Sequence, residues 1–489
     1  MRILYYNWVD YNDPQGRGGG VTTYQRNLVR ALQANPAHSV TFLSAGLSYD
    51  LPTRAPRWEP QRFTTTPSAY DLVNSAVLAP AHHSFGDAAQ LHDPASQAAF
   101  FDFIAKTGPY DVIHFNNLEG VPASVLALKS HWPQTRLILS LHNYYPLCPQ
   151  VNLWFQESHT CDDYADGENC VTCLPHHHDG RLLRLANGLA YRLKGMGLRP
   201  GTWGFDAAFY TLLRVGSRTN RALSWVKRKL RTPLPKPAQT HSFATRRTQM
   251  VALINTHCDA VLCVSNAVKT IATAHGIAPK ITHASYIGTA QAAHFATTKP
   301  RPILAPDGTL HLAYLGYMRR DKGFFFLLQT LETLPPETLN RLHLTIAAKR
   351  GDAPTMAHIT ALTPRMASLT HIDGYTHDTL DAILATTNAG LVPVLWHDNL
   401  PQVAIEMHAR HIPLITANIG GARELGNTPE MTFAAGNAPA LAARITAILN
   451  GEIDLNTYWS NAMPPPTMAD HLSDLMQHYT PAPLPADHG

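Results

Sequence analysis

The sequence predicts an α/β protein built from two Rossmann-like halves, each a parallel sheet between helices, facing one another across a cleft. Three observations carry that expectation. The chain has 489 residues, enough for two or three cores at about 100–200 residues each. Short apolar runs recur with helical spacing between them, as buried parallel strands and their crossover helices do. Glycine turns follow apolar runs near Gly18 to Gly20, Gly316 to Gly323 and Gly420 to Gly421, which points to a ligand crevice along the carboxyl edge of each sheet.

Hydrophobic residues make up 45% of the chain and charged residues 15%, which excludes an intrinsically disordered protein. Met1 to Tyr6 run directly into an apolar strand, without the basic start and apolar stretch of a signal peptide. No segment approaches about 18 uninterrupted apolar residues, the length a spanning helix requires. The expected location is therefore cytoplasmic. Net charge is +4 with histidines neutral, but residues 181 to 250 hold 15 Lys or Arg against one acid, Asp206. Such a field attracts anionic partners: phospholipid headgroups, a lipid phosphate or nucleic acid. Peripheral contact with an anionic membrane at its inner face is one reading of this region, and a solvated basic surface is the other.

The first half is expected to span 1–295. Arg2 to Asn7 reads as a strand, Asp10 to Gly20 as a polar loop, and Tyr24, Leu28 and Leu32 as one helix face. Val40 to Leu43 is the next strand. Residues 51 to 95, rich in Pro, Ser, Thr and Ala, lack periodicity and are expected to form a long loop. Asp111 to Phe115 and Arg136 to Leu141 are strands, separated by a helix near Ala123 to Lys129. An insertion at 143–250 is first cysteine- and aspartate-bearing, then basic, before Val261 to Val264 and Ile281 to Tyr286 resume the strand pattern.

Pro302, Pro306 and Gly308 mark a linker near 290–308. The second half, 296–455, has strands at His311 to Leu315, Leu342 to Ala347, His371 to Ile372, Leu391 to Leu395 and Ile412 to Thr416. Residues 456–480 carry a crossover helix expected to pack back toward the first half. The Pro-rich end, 481–489, should fray.

Candidate chemistry gathers at the strand exits. Phosphate oxygens can approach the backbone of Gly18, Gly19 and Gly20 closely, and free N–H groups at a helix start attract negative charge. A plain flexible turn is the alternative. Arg319, Arg320 and Lys322 sit in a tight turn before a helix, a suitable diphosphate grip or else ordinary surface charge. Asp398 and Glu406 bracket Asn399 to Ile405, with Pro401 marking a helix start. Asp398 is then in the loop and Glu406 about two turns into the helix. One carboxylate can accept from sugar hydroxyls and the other from the two hydroxyls of a ribose.

These residues give the chain its resemblance to the large retaining GT-B glycosyltransferase family, group 1, which includes sucrose and mannosyl transferases and bacterial polysaccharide enzymes. The likeness covers 1–50, 110–150 and 255–480 and is densest from Leu391 to Leu425. It implies that Gly19 and Gly20 approach the donor phosphates, that His142 lies near donor sugar and acceptor, and that Lys322 binds the diphosphate. It also implies that Glu406 holds the ribose, that Asp398 stands where most relatives have glutamate, and that Asn399 and Leu400 present backbone groups. The donor implied is a nucleotide diphosphate sugar, used without a catalytic metal. Transfer of a hexose to a glycan or lipid-linked saccharide with retention follows, His142, Lys322 and Asp398 being the catalytic set and His142 orienting rather than acting as the base. Two departures stand out. Tyr317 occupies a position commonly held by arginine, so Arg319 or Arg320 must supply the second cation, and Asp398 is one methylene shorter than glutamate.

A glycosidase would need an acid and a nucleophile or base flanking the scissile bond, but the lysine and glycine turns around Asp398 and Glu406 favour a diphosphate sugar. Cys148, Cys161, Cys170 and Cys173 end in a CxxC and suit a structural zinc site, with His176, His177 and His178 as alternative ligands. Free thiols are the alternative and disulfides the least favoured in a reducing compartment. Leu212, Leu213, Leu223, Trp225, Val226 and Leu230 lie among Arg214, Arg218, Arg221, Lys227, Arg228 and Lys229, which as a helix fits an anionic membrane or packs on the first half. Two rival functions remain: an inactive nucleotide-sugar or glycan-binding protein, and a nucleic-acid binder. The second lacks interleaved aromatics and a recognition helix.

Overall fold

The computed structural model describes residues 1–52, 54–174, 179–214 and 240–480. Two sheets organise them. The first joins β1 (Arg2–Tyr6), β2 (Ser39–Ala45), β3 (Arg57–Pro60), β4 (Ala69–Val73), β5 (Val112–Phe115), β6 (Arg136–Leu141), β9 (Ala260–Cys263) and β10 (Thr282–Ala284) in the order β10-β9-β6-β5-β1-β2-β4-β3. All pairs are parallel except β3 with β4. The second sheet is wholly parallel. It joins β11 (Leu310–Gly316), β12 (Leu342–Ala348), β13 (Ser368–Asp373), β14 (Ala389–Val392), β15 (Leu414–Ala417) and β16 (Thr432–Phe433) in the order β13-β12-β11-β14-β15-β16.

The strand residues explain the layering. Ile3, Leu4, Ile113, Leu139 and Val261 in the first sheet, and Leu312, Leu344, Leu391 and Ile415 in the second, are buried on both faces, as continuous apolar runs between helical layers should be. Among its parallel strands each sheet reverses order at one place, between β1 and β5 and between β11 and β14. Crevices open outside the strand ends at such switch points. The chain leaves them through the loops that begin at Asn7 and Asn116 in the first half and at Tyr317 and Pro393 in the second.

The helix Met468–Tyr479 belongs to the first sheet by contact although it closes the chain. The Tyr479 hydroxyl lies 2.6 Å from that of Tyr5 and 2.6 Å from His114 Nδ1. From the same helix, His471 Nε2 shares a 2.7 Å hydrogen bond with the Tyr24 hydroxyl.

Several local expectations change. Residues 51–95 are not one long loop: β3 and β4 extend the sheet edge there, and Asp71 accepts from Ser44 Oγ (2.7 Å) and Ser48 Oγ (2.8 Å). Strands of four and five residues at an edge are too short to impose periodicity on a Pro- and Ser-rich stretch. The expected helix near Ala123 is a 3-10 turn, Ala123–Ala127, followed by the short helix Leu128–His131. The insertion adds a small hairpin of β7 (Trp154–Phe155) and β8 (His159–Thr160). Its basic part is helical at Gly180–Gly195 and over 203–214. Leu223, Trp225, Val226, Leu230, Arg218, Arg221, Lys227, Arg228, Lys229, His176, His177, His178 and the 481–489 tail lie outside the described residues. No helix of the described residues is long and apolar enough to cross a membrane.

Candidate active site

A cavity of about 720 Å³ lies between the two switch points. From the first half it is lined by Gly19, Gly20 and His142, and from the second by Lys322, Asp398 and Glu406. Asn399 and Leu400 also face it.

The glycine turn starts the helix Gly19–Gln33, whose first turn has no side-chain cap. The Gly19 N–H donates to the Gly16 carbonyl at 3.2 Å, and the amides that follow it have no side-chain cap and are left for solvent or an anion. Gly19 has φ +55° with open space where a side chain would stand. Gly20 is closer to the other half: its carbonyl accepts from Gln402 Nε2 at 2.7 Å, and a Cβ there would meet the Gln402 side chain at 3.2 Å.

His142 follows the last residue of β6 and is half-buried at the cavity wall. Its ring lies 5.1 Å from that of Tyr24, and Nε2 has no hydrogen-bond partner among the described residues. Burial, reinforced by nearby His471, holds its pKa down to about 3. The imidazole is accordingly neutral across the working pH range and presents one donor and one acceptor, not a cation.

On the opposite wall Lys322 Nζ lies 2.5 Å from Asp398 Oδ2 and 5.1 Å from the Trp396 ring centroid. Backbone geometry forces this approach. Gly323 has φ +72°, and a Cβ there would fall 1.7 Å from the Pro393 carbonyl oxygen, so only glycine lets the Lys322 turn pack under the Pro393 loop. Gly420 does the same for Asp398, whose carbonyl oxygen would be 2.4 Å from an added Cβ and instead accepts the Gly421 N–H at 2.9 Å.

Glu406 sits in the helix Gln402–His408, just over one turn from its start rather than two, because the helix begins after Pro401. It is buried and accepts from the Tyr375 hydroxyl and from His377 Nε2, both at 3.0 Å. The hydrogen bond to Glu406 raises the His377 pKa above the ordinary histidine value.

The structure does not bring every expected residue to the cavity. Arg319 turns back on Asp321, with Nε 3.0 Å from Oδ1, and neither it nor Arg320 lines the space. The Asp321 carboxylate, two residues along the same turn, outcompetes the cavity for the guanidinium. Lys349, after β12, lines the cavity instead, with Tyr317 beside it. Asn399 bridges the halves: Nδ2 donates to the Leu141 carbonyl (3.3 Å) and its own carbonyl accepts from Ser265 Oγ (2.7 Å).

The four insertion cysteines are free thiols. Burial raises Cys161 to about 11 and Cys170 and Cys173 to about 12, which disfavours thiolates there. Among the described residues no three His, Cys, Asp or Glu side chains form a set able to hold a metal ion. The zinc expectation at Cys148, Cys161, Cys170 and Cys173 finds no such set among the described residues, and Cys173 accepts from Gln150 Nε2 at 2.9 Å.

Tyr375, His377, Trp396, Lys349 and Gln402 were not legible as site residues. The signal for the first two was weak: a glycine, Gly374, after a strand of which only His371 and Ile372 stood out.

Residues 309–451, the part of the chain that carries Lys322, Asp398 and Glu406, match the family described as Glycosyl transferases group 1. They form a group 1 glycosyl transferase domain. No curated protein matches the sequence. Among solved structures the chain is similar to sucrose-phosphate synthase from Thermosynechococcus elongatus, at 16% identity over 98% of both chains and a TM-score of 0.54. It is also similar to HepE from Anabaena in complex with UDP, at 14% identity over 98% of this chain and 99% of that one, TM-score 0.53. The trehalose 6-phosphate synthase of Burkholderia multivorans aligns at 11% identity over 98% of both chains, TM-score 0.51. At such identities the likeness is one of fold, and the fold is GT-B: a glycosyl transferase domain facing a second Rossmann-like unit.

Proposed function

We propose that this protein is a retaining glycosyltransferase that moves a hexose-type sugar from a nucleoside diphosphate to a hydroxyl of a glycan or lipid-linked saccharide. One observation carries the reading: a single cavity holds a capless helix start and a neutral histidine on one side and Lys322, Asp398 and Glu406 on the other.

Each group has a physical task in that reaction. The Gly19 and Gly20 backbone and the Lys322 ammonium take the diphosphate, since an ammonium has three donors and can keep Asp398 while meeting an anion. Each Glu406 oxygen already accepts one hydrogen bond and keeps a lone-pair direction for a ribose hydroxyl. Neutral His142 hydrogen-bonds the sugar or the acceptor and orients it. As the bond between the anomeric carbon and the phosphate oxygen breaks, the acceptor oxygen bonds the same face of that carbon. The acceptor proton passes to the departing diphosphate, whose growing charge Lys322 stabilises.

The test is release of nucleoside diphosphate from a panel of nucleotide sugars, begun with UDP-sugars because a fold neighbour was solved with UDP. Acceptor-dependent release supports transfer, and donor binding without release over a broad acceptor panel assigns the chain to the inactive, binding-only class.

A further inference from the structure

The apolar surface of the molecule is concentrated on one segment. Of nine exposed large apolar side chains among the described residues, six lie between 182 and 212: Leu182, Leu185, Met196, Trp203, Tyr210 and Leu212. Two more belong to the same face. Leu51 abuts Gly188 of the helix Gly180–Gly195, and Phe63 lies under the Arg199 guanidinium, 5.4 Å from its ring centroid. Trp203 is 88% exposed and Met196 70%, values without a folding benefit in a monomer in water.

The segment is anchored, so its exposed side is not a loose end. Gly188 and Leu193 are buried, Arg184 donates to the Ala76 carbonyl at 2.6 Å, and Arg62 stacks on Tyr191 at 4.9 Å. These contacts fix it along the β3 edge of the first sheet.

Its charge identifies what covers it. Residues 180–214 carry Arg181, Arg184, Arg192, Lys194, Arg199 and Arg214 against Asp206 alone; Arg184 is tied to the Ala76 carbonyl and Lys194 lies half-buried beside Glu59 and Asp71, so the exposed cations are Arg181, Arg192, Arg199 and Arg214. A second copy of this basic face would meet apolar surface at the cost of cation repulsion, whereas an anionic bilayer satisfies both terms. Apolar and aromatic side chains enter the headgroup boundary while the cations meet lipid phosphate. We propose that the face formed by Gly180–Gly195 and 203–214 docks on an anionic phospholipid surface, with Met196 and Trp203 entering it. The proposal goes beyond the sugar-transfer reading and holds whether or not the cavity turns over.

Flotation of the full chain with vesicles tests it. Binding is expected to phosphatidylglycerol-containing vesicles and not to phosphatidylcholine alone, and to fall with added salt. The pair Arg181→Gln and Arg192→Gln should lower partitioning roughly fivefold per cation, and Met196→Ser with Trp203→Ser should abolish stable binding, the thermal midpoint being unchanged in both. Equal affinity for both vesicle types, no binding to either, or indifference to both pairs of substitutions overturns the proposal. Self-association in solution that Met196→Ser with Trp203→Ser removes, without vesicle binding, also overturns it and assigns the face to a second copy.

Discussion

Lys322 Nζ and Asp398 Oδ2 lie 2.5 Å apart, joining the loop after β11 to the loop after β14 across the switch point of the second sheet. The pair keeps an ammonium poised at the cavity before any anion arrives. Lys322→Ala is therefore expected to lower turnover about 10²–10³-fold, the range for losing one preorganised donor to developing charge. Asp398→Asn leaves the ammonium in place and should cost less in diphosphate affinity than in turnover. Kinetics of nucleoside diphosphate release, paired with equilibrium titration of the diphosphate, separate the two.

His377 reports on Glu406. Its folded pKa is raised by the hydrogen bond to that carboxylate, so the contribution of the pair is full below the unfolded histidine value of about 6.5 and is lost as pH rises through the raised value. Histidine NMR of the wild type should show one ring titrating above the ordinary value, and Glu406→Gln should return it downward. The stability gap between the two proteins is expected to narrow from neutral to alkaline pH.

Acid acts on a different set. Burial depresses His142 to about 3 and His408 and His471 to about 4. Neutral burial stabilises the fold above the unfolded value of about 6.5 and fails as pH falls toward these lowered values, because the unfolded chain then binds more protons. Thermal midpoints should drop between pH 6.5 and 4, and His471→Gln should flatten part of that drop while weakening the bond to Tyr24.

Two glycines with positive φ separate conformational from steric demand. Gly323→Ala places a Cβ 1.7 Å from the Pro393 carbonyl oxygen and is expected to cost at least about 2 kcal/mol in urea denaturation. Gly19→Ala meets nothing within 4 Å and should cost about 1 kcal/mol.

The sequence made both sheets legible because most of their strands are buried on both faces and read as apolar runs, such as Val261 to Val264. It made the Lys322 and Asp398 loops and the start of the Glu406 helix legible because glycine and proline punctuate them. What stayed hidden depended on distant residues. The edge strands β3 and β4 have no apolar alternation of their own and exist by pairing with β2. Arg319 and Arg320 looked equivalent to Lys322 in sequence, and only the turn geometry sends Arg319 to Asp321. The ties between Glu406 and Tyr375 and His377 span about thirty residues, a separation at which spacing carries no signal. His471 is likewise invisible until its helix crosses back onto Tyr24.

Isothermal titration of the full chain with UDP-, GDP- and ADP-sugars, repeated with Lys322→Ala and Glu406→Gln, tests the cavity most directly. Saturable binding of at least one nucleotide sugar, weakened tenfold or more (about 1.4 kcal/mol) in each variant, is the expected result. Absence of binding across the panel, or binding that neither substitution changes, would contradict the assignment of this cavity to a diphosphate sugar.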